Sequence, residues 1–148
     1  MDLIVGTVII KNNNILMVRE AKSECYDKLS FPAGHIENGE DICKGAKRET
    51  FEEAGCKVEL LKLFPKLVLE DRNITMIFFL ANVLEENPRY SSEEILGTKW
   101  ISIEEIRKMN KEDFRNYDVV QTVLNDLDNN KLYDINDFEN MPSKNIHG

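Results

Sequence analysis

With 148 residues, a formal net charge of −8 and a pI near 4.9, the chain has the size of one ordinary domain and length enough for one proper core. Its acidity disfavours nonspecific binding to nucleic acid or to an anionic membrane surface. No run approaches a membrane span, MDLIVGTVII lacks the basic region of a signal peptide, and Cys25, Cys43 and Cys56 form no CxxC pair, so a cytoplasmic protein with reduced structural thiols and no nucleic-acid or membrane partner is expected.

The predicted elements follow in chain order. Residues 3–10 and 15–19 are β-rich and flank the turn Lys11-Asn12-Asn13-Asn14, which predicts a hairpin. Ser30-Phe31-Pro32-Ala33-Gly34 leads on as an irregular loop fixed by Pro32 and Gly34. Asp41 follows the Asn38-Gly39 turn as an N-cap, so a helix runs over about 42–54 and stops at Gly55. Residues 58–64, 66–69 and 74–84 supply further strands, the last (ITMIFFLANVL) apolar enough to be central. A short strand over 97–102 contains Trp100, and Ser102 with Glu105 forms a capping box for a helix over 103–109. Phe114, Tyr117, Val120, Val123, Leu124 and Leu127 keep a helical period over 113–127. Residues 1–128 are thus expected to form the domain and 129–148 a polar tail, in which Leu132, Tyr133, Ile135 and Phe138 could dock. There is no internal repeat.

The most informative stretch is GHIENGEDICKGAKRETFEEAGC, residues 34–56. On a helix at about 100° per residue, Ile42, Cys43, Ala46, Thr50 and Ala54 form the packed side, while Glu49, Glu52 and Glu53, at i, i+3 and i+4, project from one adjacent arc. Two unscreened carboxylates about 6 Å apart repel by roughly 3 kcal/mol at an effective dielectric near 20. Arg48 alone is one charge against three. A solvated acidic helix face is the bland reading of such a run, but the upstream glycine turn and Glu40 favour a divalent cation site. Oxygen ligands with no His or Cys among them point to Mg²⁺, with Mn²⁺ as the alternative.

The order Gly34, five residues, Glu40, seven residues, Arg48-Glu49, two residues, Glu52-Glu53, one residue, Gly55 resembles the Nudix box. Thr50 and Cys56 depart from it, standing where the family usually has an aliphatic residue. The resemblance covers roughly residues 1–127 and implies an α/β fold, a Nudix-type α/β/α sandwich with a mixed β-sheet, and hydrolysis of a nucleoside diphosphate linked to another moiety. It makes Glu49, Glu52, Glu53 and Arg48 the catalytic set, with Glu49, Glu52, Glu53 and the Gly34 carbonyl as metal ligands. Glu40 and Arg48 would brace loop and helix, and Glu49 or Glu53 would act as base toward a water whose pKa the cation lowers.

Outside the box, Glu94 lies six residues before Trp100, a spacing similar to the MutT-like branch, where a loop glutamate also meets metal; a solvated glutamate in SSEE is the alternative. Arg19, ending the second strand, could face the substrate phosphates or be an ordinary surface arginine. Asn116 sits near where that branch places a base-reading asparagine. His35 reads better as a hydrogen-bonded loop residue than as a ligand, and Trp100 better as core than as a stacking platform. The marks of the ADP-ribose, diadenosine polyphosphate and coenzyme A branches are absent, with Asp71, Arg72 and Asn73 filling the region where the first two would fall. By elimination a small-molecule nucleotide substrate is expected, a nucleoside triphosphate cleaved to monophosphate and pyrophosphate. ADP-ribose, nucleotide-sugar or dinucleotide pyrophosphatase activity is the alternative within the family. Isopentenyl diphosphate isomerase, for which Cys25 is the conceivable nucleophile, and a noncatalytic nucleotide sensor, against which the intact Glu49, Glu52 and Glu53 argue, are the alternatives from other classes. A homodimer is compatible with the family, but no seam in the sequence marks one.

Overall fold

The computed structural model describes residues 2–87 and 89–146, so Met1 and the tail end at 147–148, included in the two expected spans, lie outside the described residues. The chain runs β1 (Asp2–Lys11), β2 (Asn14–Glu20), β3 (Leu29–Ser30), β4 (Ala33–His35), α1 (Ile42–Ala54), β5 (Cys56–Leu63), β6 (Lys66–Leu69), β7 (Ile74–Glu86), β8 (Ile95–Ser102), α2 (Ile103–Lys108), α3 (Tyr117–Asp128) and β9 (Ser143–Asn145). None of its helices is long and apolar enough to cross a membrane.

Side-chain alternation decides the middle of the sheet. β1 and β7 lie parallel, from Asp2 opposite Ile74 to Ile9 opposite Ala81, and both are apolar on both faces, as strands covered on two sides must be. Val5, Ile9, Ile77, Phe79 and Ala81 pack with Ala46 and Ala54 of α1. Val8, Met76 and Phe78 point the other way, into a cluster with Ile106 of α2 and Val119, Val120, Val123 and Leu124 of α3. The result is an α/β/α sandwich around a mixed sheet. β5 and β6 pair antiparallel with successive halves of β7, β4 crosses the start of β1, and the β1–β2 hairpin carries β8 and β3 on β2.

Thr50, the polar residue at an expected apolar position, is fully buried. Its hydroxyl donates to the Ala46 carbonyl at 2.7 Å and accepts from the Thr7 hydroxyl at 2.7 Å, so neither group is left unsatisfied in the core.

One segment departs from the sequence expectation, and the tail that could dock packs onto the core through Leu132, Tyr133, Ile135 and Phe138. The helix expected from residue 113 begins at Tyr117. Asn110 and Asp113 form a reciprocal capping box around the turn Lys111–Asp113, and Phe114 then extends to bridge Leu29. That detour brings Arg115 and Asn116 beside β3 rather than onto the exposed side of a helix. Beyond residue 128 the chain is also structured. Tyr133 bridges Leu63, β9 pairs parallel with β6, and Met141 and Ile146 are buried.

Lys144 of β9 reaches the carboxylate of Asp126, which is 1 % exposed and whose Oδ2 has no hydrogen-bond partner among the described residues. Lys144→Ala should therefore cost on the order of 2–3 kcal/mol, short of the ~3–5 kcal/mol for breaking a fully buried pair because the lysine is partly solvated. Urea unfolding measures this. A loss within 0.5 kcal/mol, the ordinary range of surface substitutions, would show that the contact does not hold the last strand.

Candidate functional site

The box helix is fixed at both ends by local chemistry. The Asp41 carboxylate accepts from the Lys44 amide at 2.8 Å, and Gly55 ends the helix at φ 67° while its amide donates to the Phe51 carbonyl. Within this frame Arg48 is the hub. Its Nε and Nη2 donate to the two Glu40 oxygens at 2.7 and 2.9 Å, its Nη1 donates to Glu49 at 2.7 Å and Glu52 at 3.1 Å, and its Nη2 also reaches the His35 carbonyl at 3.1 Å. These bonds, with a further one from the Glu37 amide, hold the Glu40 carboxyl down at about 2 and raise the Arg48 pKa above its ordinary value.

The three box-helix glutamates are not equivalent. Glu49 and Glu53, one turn apart, line one pocket together, whereas Glu52 stays outside it with a half-exposed side chain. Glu53 is 8 % exposed and accepts from the Ala33 amide at 3.0 Å. Burial, seconded by the negative charges of Glu20, Glu49 and Glu94, pushes its carboxyl up to about 8. Burial also raises Glu49, but Arg48 opposes the shift. Gly34 of β4 lies flat against the Glu49 carboxylate, so close that a Cβ there would stand 2.1 Å from Oε2.

Glu94, just before β8, lines the same pocket, as does Asn116, whose Oδ1 accepts from Arg72 at 2.9 Å. Arg19 does not. Its Nε donates to Asp27 at 2.9 Å, on a side chain that is partly exposed. The reason is strand parity: successive side chains of β2 face opposite ways, so if one of its last two residues enters the pocket the other cannot. The residue that enters is Glu20. It is 3 % exposed and accepts from Ser30 at 2.8 Å and from Arg115 at 3.0 Å. Burial works against the Arg115 charge, but the bond and attraction to Glu20 outweigh it and raise its pKa.

Glu20, Lys22, Arg72 and Arg115 are charged pocket residues that the sequence alone did not place at the site. Arg115 neighbours Asn116 and Glu20 neighbours Arg19, so adjacency was the available signal; their pairing, across 95 positions, had none. Trp100 is outside the pocket, donating to Glu86 at 2.9 Å, and the His35 imidazole is exposed, 3.9 Å from Asp2.

The donor set suits a hard divalent cation. Glu49, Glu53, Glu94 and the backbone carbonyl at Gly34 offer oxygen only, and these three carboxylates share one pocket. Among the described residues no three His, Cys, Asp or Glu side chains already stand close enough to enclose a metal ion. Arg48 occupies Glu49 and Glu52 instead, and filling the site would require these side chains to shift.

A family model described as the NUDIX domain matches residues 2–123. The 8-oxo-dGTP diphosphatase of Escherichia coli K12 is 36% identical over 106 residues, covering 70% of this chain and 81% of that protein. The NAD-capped RNA hydrolase NudC of Mannheimia succiniciproducens is 31% identical over 98 residues, covering 66% of this chain and 36% of its own length. A solved structure of a NUDIX hydrolase from Nitrosomonas europaea superimposes with a TM-score of 0.79 at 27% identity, over 91% of this chain and 93% of that one.

The raised Glu53 pKa fixes a sign for stability without metal. Between the ordinary carboxyl value and about 8 the folded protein keeps a proton that the unfolded chain releases, so this contribution is whole in acid and is lost as pH rises through that window. In EDTA, Glu53→Gln should therefore gain in Tm over wild type progressively from pH 5 to pH 8. A difference in Tm independent of pH would show that Glu53 titrates normally.

Proposed function

The chain belongs to the NUDIX family of hydrolases that act on pyrophosphate bonds, and we propose that it cleaves a nucleoside triphosphate to a monophosphate and pyrophosphate with the help of Mg²⁺ or Mn²⁺. One observation carries this reading. A single cavity of about 260 Å³ has Glu49, Glu53 and Glu94 on one wall and Arg72, Arg115 and Asn116 on another, with Phe31, Met76, Phe78, Val119 and Val120 between them. That volume is just under the roughly 300–1,000 Å³ of pockets for drug-sized ligands, which is room for one end of a nucleotide while the rest lies at the open mouth.

A bound divalent cation supplies screening of the phosphate charge and lowers the pKa of the attacking water. Glu49, Glu53 and Glu94, with the Gly34 carbonyl, would hold it, and Glu52 would join them on leaving Arg48. Arg48 keeps Glu49 turned toward Gly34 and ties the helix to the loop through Glu40. One of the two α1 carboxylates that line the cavity takes the proton of water: Glu49, oriented by Arg48, or Glu53, oriented by the Ala33 amide. At the other wall, Arg72 holds the Asn116 carbonyl oxygen, leaving the Asn116 amide N–H groups to meet an acceptor on the base. The apolar side chains between the walls suit the faces of a purine. An oxidised guanine is the first base to test, because the Escherichia coli relative is named for 8-oxo-dGTP.

The test is a Mg²⁺-dependent screen of nucleoside triphosphates, 8-oxo-dGTP included, beside ADP-ribose, NADH and diadenosine polyphosphates, with products resolved by chromatography. Monophosphate plus pyrophosphate from a triphosphate is the expected result; turnover of the sugar or dinucleotide substrates alone overturns it. Glu49→Gln and Glu53→Gln should each lower kcat by about 10²–10⁴, the range for losing a positioned base, with the circular dichroism spectrum unchanged. The substitution that also removes the acid limb of the pH–rate profile identifies the base.

A further inference from the structure

The segment between β7 and β8 turns beside the C-terminal end of α1, and Tyr90 fills the corner. Its hydroxyl donates to the Glu52 carbonyl, one of the last four carbonyls of a helix that have no partner within it. Its ring packs on Phe51, with centroids 5.7 Å apart at 53°, and rests on Gly55, where an added Cβ would stand 2.4 Å from the ring. Gly55 therefore meets two demands, the left-handed backbone of the helix end and the space for an aromatic ring.

The same segment is tied on both sides of Tyr90. The Asn87 amide donates to the Gly55 carbonyl at 3.3 Å, and the Glu94 carbonyl accepts from the Ala21 amide, just past β2, at 3.1 Å. The Glu94 amide donates to Ser92 Oγ at 3.2 Å. Arg89, Ser91, Glu93 and Glu94 are exposed, so little apolar burial secures this stretch. Yet it must hold the Glu94 carboxylate in the same pocket as Glu49 and Glu53, against their repulsion. Tyr90 anchors the segment to the end of the helix that bears those two glutamates.

We propose that Tyr90 is a positioning residue, which latches the β7–β8 segment to the last turn of α1 and so holds Glu94 against Glu49 and Glu53 as part of one cation-binding set. This rests on the reading of those carboxylates as metal ligands given above. Tyr90 itself touches neither cation nor substrate; it acts by fixing the distance between a loop ligand and two helix ligands.

The experiment measures Mn²⁺ binding to the full chain without substrate, by electron paramagnetic resonance, in wild type, Tyr90→Ala, Tyr90→Phe, Glu94→Gln and the Tyr90→Ala/Glu94→Gln double variant. Tyr90→Ala should weaken binding about 10-fold, the low end for residues that orient a metal ligand, and Tyr90→Phe less, since it keeps the ring and loses only the hydrogen bond. In the Glu94→Gln background Tyr90→Ala should have no further effect, because both changes remove the same interaction. Thermal unfolding in EDTA reports any loss of stability separately. Wild-type binding by Tyr90→Ala, or an equal loss with and without Glu94, overturns the proposal. Wild-type binding by Glu94→Gln overturns it together with the assignment of Glu94 as a ligand, while the hydrolase reading stands or falls on the substrate screen alone.

Discussion

One guanidinium organises the acidic half of this site. Arg48 bonds Glu40, Glu49, Glu52 and the His35 carbonyl at once, joining the loop after β4 to the middle of α1. Exposed ion pairs contribute little because each side chain loses entropy for a screened attraction. Here the Glu40 pair is two-pronged, the guanidinium is shielded by its partners, and a backbone carbonyl completes its donors, the geometry in which arginine gains most. Glu53 lies beyond the reach of Arg48, and its carboxyl is left to burial and to its negative neighbours. Glu40 is held at about 2 by that guanidinium, whereas Glu53 is pushed up to about 8 first by burial and then by its negative neighbours.

The legible parts of the sequence were those set by neighbours along the chain. The box helix was expected over 42–54 with Asp41 and Gly55 at its ends, and the structure has it there, because capping and a left-handed terminator are decisions made within four residues. The central strand was legible from its unbroken apolar run, and the sandwich from the family resemblance. What could not be read was the far wall of the pocket. Arg72, Arg115 and Glu20 come from three elements and become neighbours only when the chain is folded. The parity of β2, which separates Arg19 from Glu20 by one residue, is set by which face of the hairpin the rest of the protein covers. The last strand was hidden for another reason: Ser143–Asn145 is polar throughout, since it pairs through its backbone and sends only Lys144 toward a buried partner.

The detour before α3 connects those gaps. A helix continuing back from Tyr117 to Asp113 would satisfy its own backbone and leave no chain to bridge Leu29. The Asn110–Asp113 capping box ends one turn early, Phe114 extends into the bridge, and the Arg115 amide donates to the Leu29 carbonyl at 3.0 Å. Arg115 is then placed to meet Glu20, and Asn116 to meet Arg72. The basic wall is thus a product of backbone hydrogen bonding between β3 and an extended tripeptide, with no repeat or spacing to announce it.

Charge balance within the pocket limits what can enter it. Glu20, Glu49, Glu53 and Glu94 share the lining of the cavity with Lys22, Arg72 and Arg115, and Glu20 already occupies Arg115. A polyphosphate placed beside Glu49, Glu53 and Glu94 would meet their like charge. The net charge of −8 adds no long-range attraction to offset this. On the proposed reading, nucleotide binding and cation binding therefore lower each other's cost and are thermodynamically coupled. The neutralised Arg115, together with the amide of Asn116, gives the opposite wall polar donors without a strong net field. On the proposed reading, such a wall is better matched to the edge of an uncharged base than to a second phosphate group, which would place the phosphates toward α1 and the base toward α3.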